Sequence, residues 1–211
     1  MAIAEKHGLK VIEDVSHAQG GLYKGRRLGT IGHVGAMSLM TGKSLACGEG
    51  GVFLTDDLEI FERAIAFGHY ARTTSTTWTG DQQGLTLPEL IPFKGLPLGG
   101  YKNRMNQLSA AMGRVQLRHY KDRIAEIQAA MNRFWDLLEE LKGVKPHRPD
   151  KDSGSTMGGW YNARGLYVPD ELNGLPVARF CEAVTAEGVP GVGPRMQFPI
   201  APASGLKRSG A

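Results

Sequence analysis

The sequence Ser38-Leu39-Met40-Thr41-Gly42-Lys43 places a lysine just after an apolar segment, residues 34–39, that is typical of a buried strand. Gly48-Glu49-Gly50-Gly51 follows, and Asp14 closes a second apolar segment upstream. A lysine at the end of a strand can form a Schiff base with an aldehyde, and a carboxylate on a neighbouring strand can keep a pyridine nitrogen protonated. Lys43 and Asp14 together therefore predict a site for pyridoxal 5'-phosphate.

The composition is that of an ordinary soluble globular protein. The chain has 211 residues, of which 41% are hydrophobic and 22% charged, enough for one large or two small domains. No apolar run approaches the ~20 residues that span a bilayer, and the N-terminus lacks the basic-then-apolar order of a signal peptide. We therefore expect a cytoplasmic protein without a membrane partner.

The charges and cysteines point to no nucleic acid and no metal. The net charge of +4 is spread along the chain, so it predicts no nucleic-acid footprint. Cys47 and Cys181 are far apart and show no C-x-x-C spacing, which predicts reduced thiols, with neither a zinc site nor a disulfide framework. We predict no metal site.

Strand and helix patterns alternate in the first part of the chain. The predicted strands cover residues 9–14, 34–39 and 51–55, Lys24-Gly25 suits a tight turn, and Asp56-Asp57 is expected to cap a helix over residues 58–67. A helix is also predicted to end at Gly8. This alternation predicts an α/β fold with a mostly parallel sheet.

From residue 73 onward the pattern changes to a long loop, a long helical region and a smaller unit. Residues 73–100 are rich in Thr, Gly and Pro and predict a long functional loop. From Asn106, a plausible N-cap, helical periodicity continues for more than thirty residues, as two helices or one bent helix. A strand over residues 160–168 and a helix over 175–187 indicate a smaller α+β unit, and residues 201–211 predict a frayed tail.

Four segments resemble one known family. They are Val11-Ile12-Glu13-Asp14, the stretch from Ser38 to Lys43, the Gly48 to Gly51 stretch, and residues 100–111 continuing into Gln116-Leu117. In order and spacing they resemble the DegT/DnrJ/EryC1/StrS family of pyridoxal-phosphate-dependent sugar aminotransferases, of aspartate-aminotransferase fold type I. The resemblance implies a partial large cofactor-binding domain over residues 1–120 and an incomplete small domain over 121–211.

The resemblance also assigns roles to single residues. Lys43 would be the Schiff-base lysine, and having lysine there favours transamination over the histidine-bearing dehydratases of the family. Asp14 would pair with the pyridinium nitrogen, His17 would contact the phenolic oxygen of the cofactor, and Ser38 its phosphate. Each has a structural alternative: a surface lysine at Lys43, a helix cap at Asp14, a solvated imidazole at His17 and strand filler at Ser38.

The loop Tyr101-Lys102-Asn103-Arg104-Met105 resembles one that enters the neighbouring subunit's active site in this family. The resemblance implies a homodimer with a shared site, in which an asparagine approaches the cofactor phosphate. The family places that asparagine two residues before the arginine, where this chain has Lys102. Either Asn103 or Lys102 would therefore meet the phosphate, unless the loop only leads into the following helix.

By this resemblance the chain is expected to move an amino group from glutamate or glutamine to one of two acceptors. The acceptor would be a nucleotide-linked keto-sugar or a keto-cyclitol. Family members have a longer N-terminal part and a longer small domain, so we expect a fragment. The alternative function is a truncated, inactive remnant that only dimerises, binds a partner or senses the cofactor.

Overall fold

The computed structural model describes residues 1–69, 84–96 and 98–194. The predicted loop over residues 73–100 lies partly, and the predicted tail over 201–211 wholly, outside this part. The described residues form two compact units: the first is Met1–Leu137 with His147–Arg164, and the second is Leu138–Pro146 with the described residues from Gly165 onward.

The elements alternate between strands and helices along the chain. The strands are β1 (Ile12–Asp14), β2 (Leu22–Tyr23), β3 (Arg26–Arg27), β4 (Val34–Ser38), β5 (Gly51–Leu54), β6 (Val144–Pro146) and β7 (Gly165–Tyr167). The α-helices are α1 (Ala2–Lys6), α2 (Leu58–Gly68), α3 (Gln107–Leu138) and α4 (Val177–Ala186), with short 3-10 turns at Ile91–Phe93 and Pro169–Leu172. The predicted α/β class is confirmed.

A three-stranded sheet in the order β1-β4-β5 is the centre of the first unit. β1 pairs in parallel with β4, so that Asp14 lies opposite Ala36, and β4 pairs antiparallel with β5, so that Ser38 lies opposite Gly51. A mostly parallel sheet is predicted, whereas this three-stranded sheet has one parallel and one antiparallel pairing among the described residues. The loop after β4 contains no helix and turns the chain straight back into β5.

Local signals account for the turns and helix starts in this unit. Lys24 and Gly25 both have positive φ, 48° and 77°, and form the tight turn of the β2–β3 hairpin. Asp57 caps α2, because its carboxylate accepts a hydrogen bond from the Ile60 amide at 3.2 Å. The predicted turn and helix cap are both found at these positions.

The sequence predicts two helices or one bent helix in this region, and the structure has one continuous helix, α3. Asn106 caps it as predicted, since its Oδ1 accepts from the Ser109 amide at 2.9 Å. The predicted domain boundary at residue 120 falls inside this helix, whereas the two compact units divide near its end at Leu138. No helix among the described residues is both long and apolar enough to cross a bilayer.

The second unit is a small α+β assembly. β6 and β7 pair antiparallel, with Val144 opposite Tyr167, and the Tyr167 ring packs on Phe180 of α4 at 5.1 Å between ring centroids. The strand predicted to begin at residue 160 begins instead at Gly165. Trp160 has a positive φ of 44°, which is incompatible with an extended strand.

Glu13 of β1 fixes the turn that leads into β4. Its carboxylate accepts hydrogen bonds from the backbone amides of Gly29 (2.9 Å), Ile31 (2.7 Å) and Gly32 (2.6 Å). Burial raises the pKa of Glu13, but these three amides, with the charge of Arg26, outweigh burial and hold the pKa below the usual 4.5. The carboxylate is therefore ionised at neutral pH and anchors β1 to the start of β4.

We expect Glu13→Gln to lower the free energy of unfolding by about 1–3 kcal/mol, because the new side-chain amide would face a backbone N–H donor. The folded-state pKa is lowered, so the stabilisation is complete above the usual 4.5 and is lost as the pH falls through the lower folded value. Urea unfolding over a pH series measures this. Glu5→Gln on α1, at an exposed position, is the control. The assignment would be contradicted if both variants lost the same free energy of unfolding. It would also be contradicted if the difference between wild type and Glu13→Gln became larger as the pH falls.

Candidate functional site

The chain brings Asp14, Ser38 and Lys43 to one edge of the sheet. Asp14 ends β1 and Ser38 ends β4, and because these strands are parallel their carboxyl ends meet at the same edge. Ser38 lies opposite the first residue of β5, so the connecting loop, residues 39–50, leaves and returns at that edge. This segment, here called the lysine loop, carries Lys43.

Ser16 joins the ends of β1 and β4. Its amide donates to Asp14 Oδ1 at 2.9 Å, and its hydroxyl accepts from the Ser38 amide at 3.1 Å. The Ser16 hydroxyl and amide lower the pKa of Asp14, and the charges of His17 and Lys43 lower it further, against a smaller opposing effect of burial. Asp14 is thus an exposed, ionised carboxylate. No helix follows it directly, so the helix-cap alternative does not apply.

An aromatic ring connects Lys43 to His17. Lys43 is half-buried, and its Nζ lies 4.5 Å from the ring centroid of Tyr161. The His17 imidazole stacks on the same tyrosine, with ring centroids 3.9 Å apart and planes inclined by 4°. His17 and Lys43 both act electrostatically on Asp14. These contacts place His17, Lys43 and Asp14 in one neighbourhood.

The lysine loop is held by its own hydrogen bonds. The Lys43 amide donates to the Met40 carbonyl at 2.9 Å, and the Cys47 amide donates to the Leu39 carbonyl at 2.8 Å. Thr41 Oγ1 donates to the Gly48 carbonyl at 3.0 Å, where Gly48 has a φ of 91° that favours glycine. The glycine-rich stretch after Lys43 is predicted to form a tight turn, and it has this structural role.

A buried polar network fixes the residue next to Lys43. Gln19, only 2% exposed, donates through Nε2 to the Ser38 carbonyl at 2.7 Å and accepts through Oε1 from Ser44 Oγ at 3.1 Å. Tyr120 Oη of α3 lies 2.7 Å from Ser44 Oγ and 3.0 Å from the Gln19 carbonyl. Burial raises the pKa of Tyr120 although Ser44 and Arg123 lower it, so the phenol stays protonated. The network ties the lysine loop to α3.

Ser38 and Asn103 occupy different surroundings. Ser38 Oγ, at the sheet edge, accepts from the Met40 amide at 3.3 Å. Asn103 lies next to the last residue of α2, because its backbone amide donates a hydrogen bond to the Gly68 carbonyl at 2.7 Å. This hydrogen bond ties Asn103 to α2 rather than to the lysine loop. That Asn103 or Lys102 serves a partner subunit's site stays a prediction.

Four residues of this neighbourhood have no counterpart in the sequence-based expectations: Ser16, Gln19, Tyr120 and Tyr161. Ser16 has a signal, because a serine two residues after a strand-ending aspartate is typical of an Asx turn. The other three act through contacts between distant parts of the chain. No spacing rule points to them.

The donor set fits pyridoxal phosphate. Asp14 offers an ionised carboxylate for a protonated ring nitrogen, Ser38 a hydroxyl for a phosphate oxygen, and Lys43 an amine for the aldehyde. All three lie at one sheet edge, where ligands bind in α/β proteins. Among the described residues, no group of three or more His, Cys, Asp or Glu side chains is arranged to hold a metal ion.

We expect Tyr120→Phe to lower the free energy of unfolding by about 1–3 kcal/mol, since it leaves the Gln19 carbonyl without that donor in a buried site. It should also speed amide hydrogen exchange in the lysine loop, because Ser44 loses a partner. Tyr101→Phe, at a residue 60% exposed, is the matched control. Exchange in the lysine loop that is no faster than in the control would show that this network does not hold the loop.

The chain is similar to known aminotransferases in sequence and in structure. The L-glutamine:2-deoxy-scyllo-inosose aminotransferase of Streptoalloteichus tenebrarius is 30% identical over 203 residues, which are 96% of this chain and 44% of that protein. An aminotransferase from Psychrobacter cryohalolentis has a structure that matches with a TM-score of 0.72 at 28% identity, over 90% of this chain and 48% of that one. DesI with its TDP-sugar product matches with a TM-score of 0.65 at 25% identity, over 89% and 42%.

The chain thus spans less than half the length of the relatives that it matches. The profile of the DegT/DnrJ/EryC1/StrS aminotransferase family matches residues 1–198, nearly the whole chain. The predicted family and the predicted partial fold are both confirmed. The chain belongs to the DegT/DnrJ/EryC1/StrS aminotransferase family.

Proposed function

We propose that this chain forms part of a pyridoxal-phosphate-dependent aminotransferase that moves the amino group of glutamine or glutamate to the ketone of a cyclic polyol. The observation that carries the proposal is the meeting of Asp14, Ser38 and Lys43 at one sheet edge. The substrate class is supported by the relative that acts on a keto-cyclitol, while the TDP-sugar seen with DesI makes a nucleotide-linked keto-sugar the other candidate.

In this proposal the cofactor supplies the reactive groups, and the residues of the chain hold and orient it. Pyridoxal phosphate, when bound, supplies an aldehyde that takes up amino groups and a ring that withdraws electrons from the reacting carbon. Asp14 keeps its negative charge at neutral pH and would hold the proton on the ring nitrogen, because an ionised carboxylate stabilises a neighbouring cation. Ser38 Oγ would donate to the phosphate. His17 would donate a hydrogen bond to the phenolic oxygen.

Lys43 would have two tasks. Its Nζ would hold the cofactor through the aldehyde, and after displacement by the substrate amine it would carry a proton from the amino-bearing carbon. Its position suits this proton transfer, since the lysine loop is tied through Ser44 to Gln19 and Tyr120. A base held in one place loses less conformational entropy at each turnover.

Homodimerisation is part of the proposal. Asn103 or Lys102 would enter the site of a partner subunit and meet the cofactor phosphate, lysine as a point charge and asparagine through its amide. The exposed position of both residues, in the loop that leads into α3, supports this arrangement.

The test is transfer of nitrogen. Purified protein is incubated with pyridoxal phosphate, glutamine labelled with ¹⁵N at the α-amino group, and either 2-deoxy-scyllo-inosose or a TDP-linked keto-sugar, and the amine product is analysed by mass spectrometry. We expect labelled product with the keto-cyclitol and a loss of about 10²–10⁴-fold in rate for Lys43→Ala, since both the covalent holder and the proton carrier are removed.

Lys6→Ala, in the exposed last turn of α1, is the control and should retain the wild-type rate. Equal rates in Lys43→Ala and wild type would refute the assignment of Lys43. Cofactor binding without transfer to either ketone would favour the alternative of a cofactor-sensing module. Failure to bind the cofactor at all would favour a remnant that only dimerises or binds a partner.

A further inference from the structure

Tyr161 is one of the four residues without a counterpart in the sequence-based expectations, and it contacts two of the proposed site residues. Its ring lies 4.5 Å from Lys43 Nζ and stacks on the His17 imidazole at 3.9 Å. It is 36% exposed, so its position is not simply that of a core side chain. The parallel stack and the overlying amine are two independent contacts that converge on one ring.

The backbone that carries Tyr161 is held in place from the side of α3. The preceding residue, Trp160, is 7% exposed and has a φ of 44°, a conformation that costs a non-glycine residue about 1–2 kcal/mol. Trp160 Nε1 donates to Gln128 Oε1 at 2.9 Å, and Gln128 Nε2 donates to the Gly158 carbonyl. Such a strained backbone persists only where its surroundings determine it. The backbone next to Tyr161 is therefore held in place.

The ring distinguishes between two states of Lys43. An aromatic face attracts an ammonium group through its quadrupole and offers no such attraction to a neutral amine. The charge of Lys43 in turn lowers the pKa of Asp14. A stacked imidazole, in turn, cannot turn about its side-chain bonds without losing the stack.

We propose that Tyr161 is a positioning residue for Lys43 and His17: its ring retains the protonated Nζ of Lys43 at the sheet edge and fixes the plane of the His17 imidazole. This inference rests on the proposed function, because it matters to a lysine that carries a proton. Between taking a proton from one carbon and giving it to another, Nζ is an ammonium group. The ring of Tyr161 attracts that ammonium group and keeps it at the sheet edge.

The first test is made on the protein without cofactor. Trace acetylation with acetic anhydride at mildly alkaline pH, followed by peptide mass spectrometry, reports the neutral fraction of each lysine amine. We expect Tyr161→Leu to acetylate faster at Lys43 by about two- to fivefold, the ratio that corresponds to an exposed cation–π contact. Tyr161→Phe keeps the ring and should acetylate at the wild-type rate. Tyr161→Met, whose flexible side chain fills irregular spaces, replaces Tyr161→Leu if that variant does not fold.

Tyr23→Leu is the matched control. Lys24 Nζ lies 5.6 Å from the Tyr23 ring in the β2–β3 hairpin, so this variant removes a cation–π contact outside the site and should leave Lys43 unchanged. Equal acceleration in Tyr161→Phe and Tyr161→Leu, or none in either, would overturn the proposal.

The second test follows His17 by NMR. A ring stacked in parallel shifts the imidazole proton signals upfield, so we expect the shift in wild type and Tyr161→Phe and its loss in Tyr161→Leu. A shift that persists in Tyr161→Leu would overturn the proposal. Neither test needs bound cofactor, so a protein that fails to bind pyridoxal phosphate would refute the proposed function alone. An active enzyme in which Tyr161→Leu has the wild-type acetylation rate at Lys43 and the wild-type His17 proton shifts would refute only this inference.

Discussion

The parallel pairing of β1 with β4 is the constraint on which the rest of the structure depends. It places Asp14 and Ser38 at the same edge, and the antiparallel return through β5 makes the lysine loop turn back at that edge as well. Glu13, by binding three amides of the turn before β4, holds the pairing in register. A slip of one residue would move Asp14 to the opposite face of the sheet.

Polar contacts then convert this edge into a site. Ser16 bridges Asp14 and Ser38, and the buried Gln19 joins the Ser38 carbonyl to Ser44 beside Lys43. Buried hydrogen bonds of this kind are expensive to break, because each leaves an unpaired donor or acceptor. The hydroxyl and amide of Ser16, with smaller effects from the charges of His17 and Lys43, lower the pKa of Asp14 and keep it ionised, which is the state that a pyridinium partner requires.

The sequence allows the local features to be predicted because their causes are local. Apolar segments gave the strands β1, β4 and β5, Asp57 and Asn106 gave the helix caps, and Lys24-Gly25 gave the hairpin turn. The convergence of Asp14, Ser38 and Lys43 follows from the parallel direction of β1 and β4 and from the antiparallel return through β5. The proportion of parallel pairing in the sheet was less accessible, since it depends on how distant segments pack.

What the sequence does not reveal is the set of long-range contacts. Tyr120 meets Ser44, and Tyr161 meets Lys43 and His17, across large separations in the chain. The positive φ of Trp160, which turns the chain at the point where a continuous strand is predicted, is imposed by its packing and its hydrogen bond to Gln128. No periodicity or composition signal encodes such contacts, because they arise only when the units of secondary structure come together.

We propose that Lys43, among the lysines in the described part of the chain, is the one placed to hold the cofactor aldehyde. This proposal can be tested by treating the protein with pyridoxal phosphate, reducing with borohydride and mapping the pyridoxyl group by peptide mass spectrometry. We expect one equivalent to be attached at Lys43 and little elsewhere. Label spread over exposed lysines such as Lys6 and Lys24, with Lys43 unmodified, would contradict it.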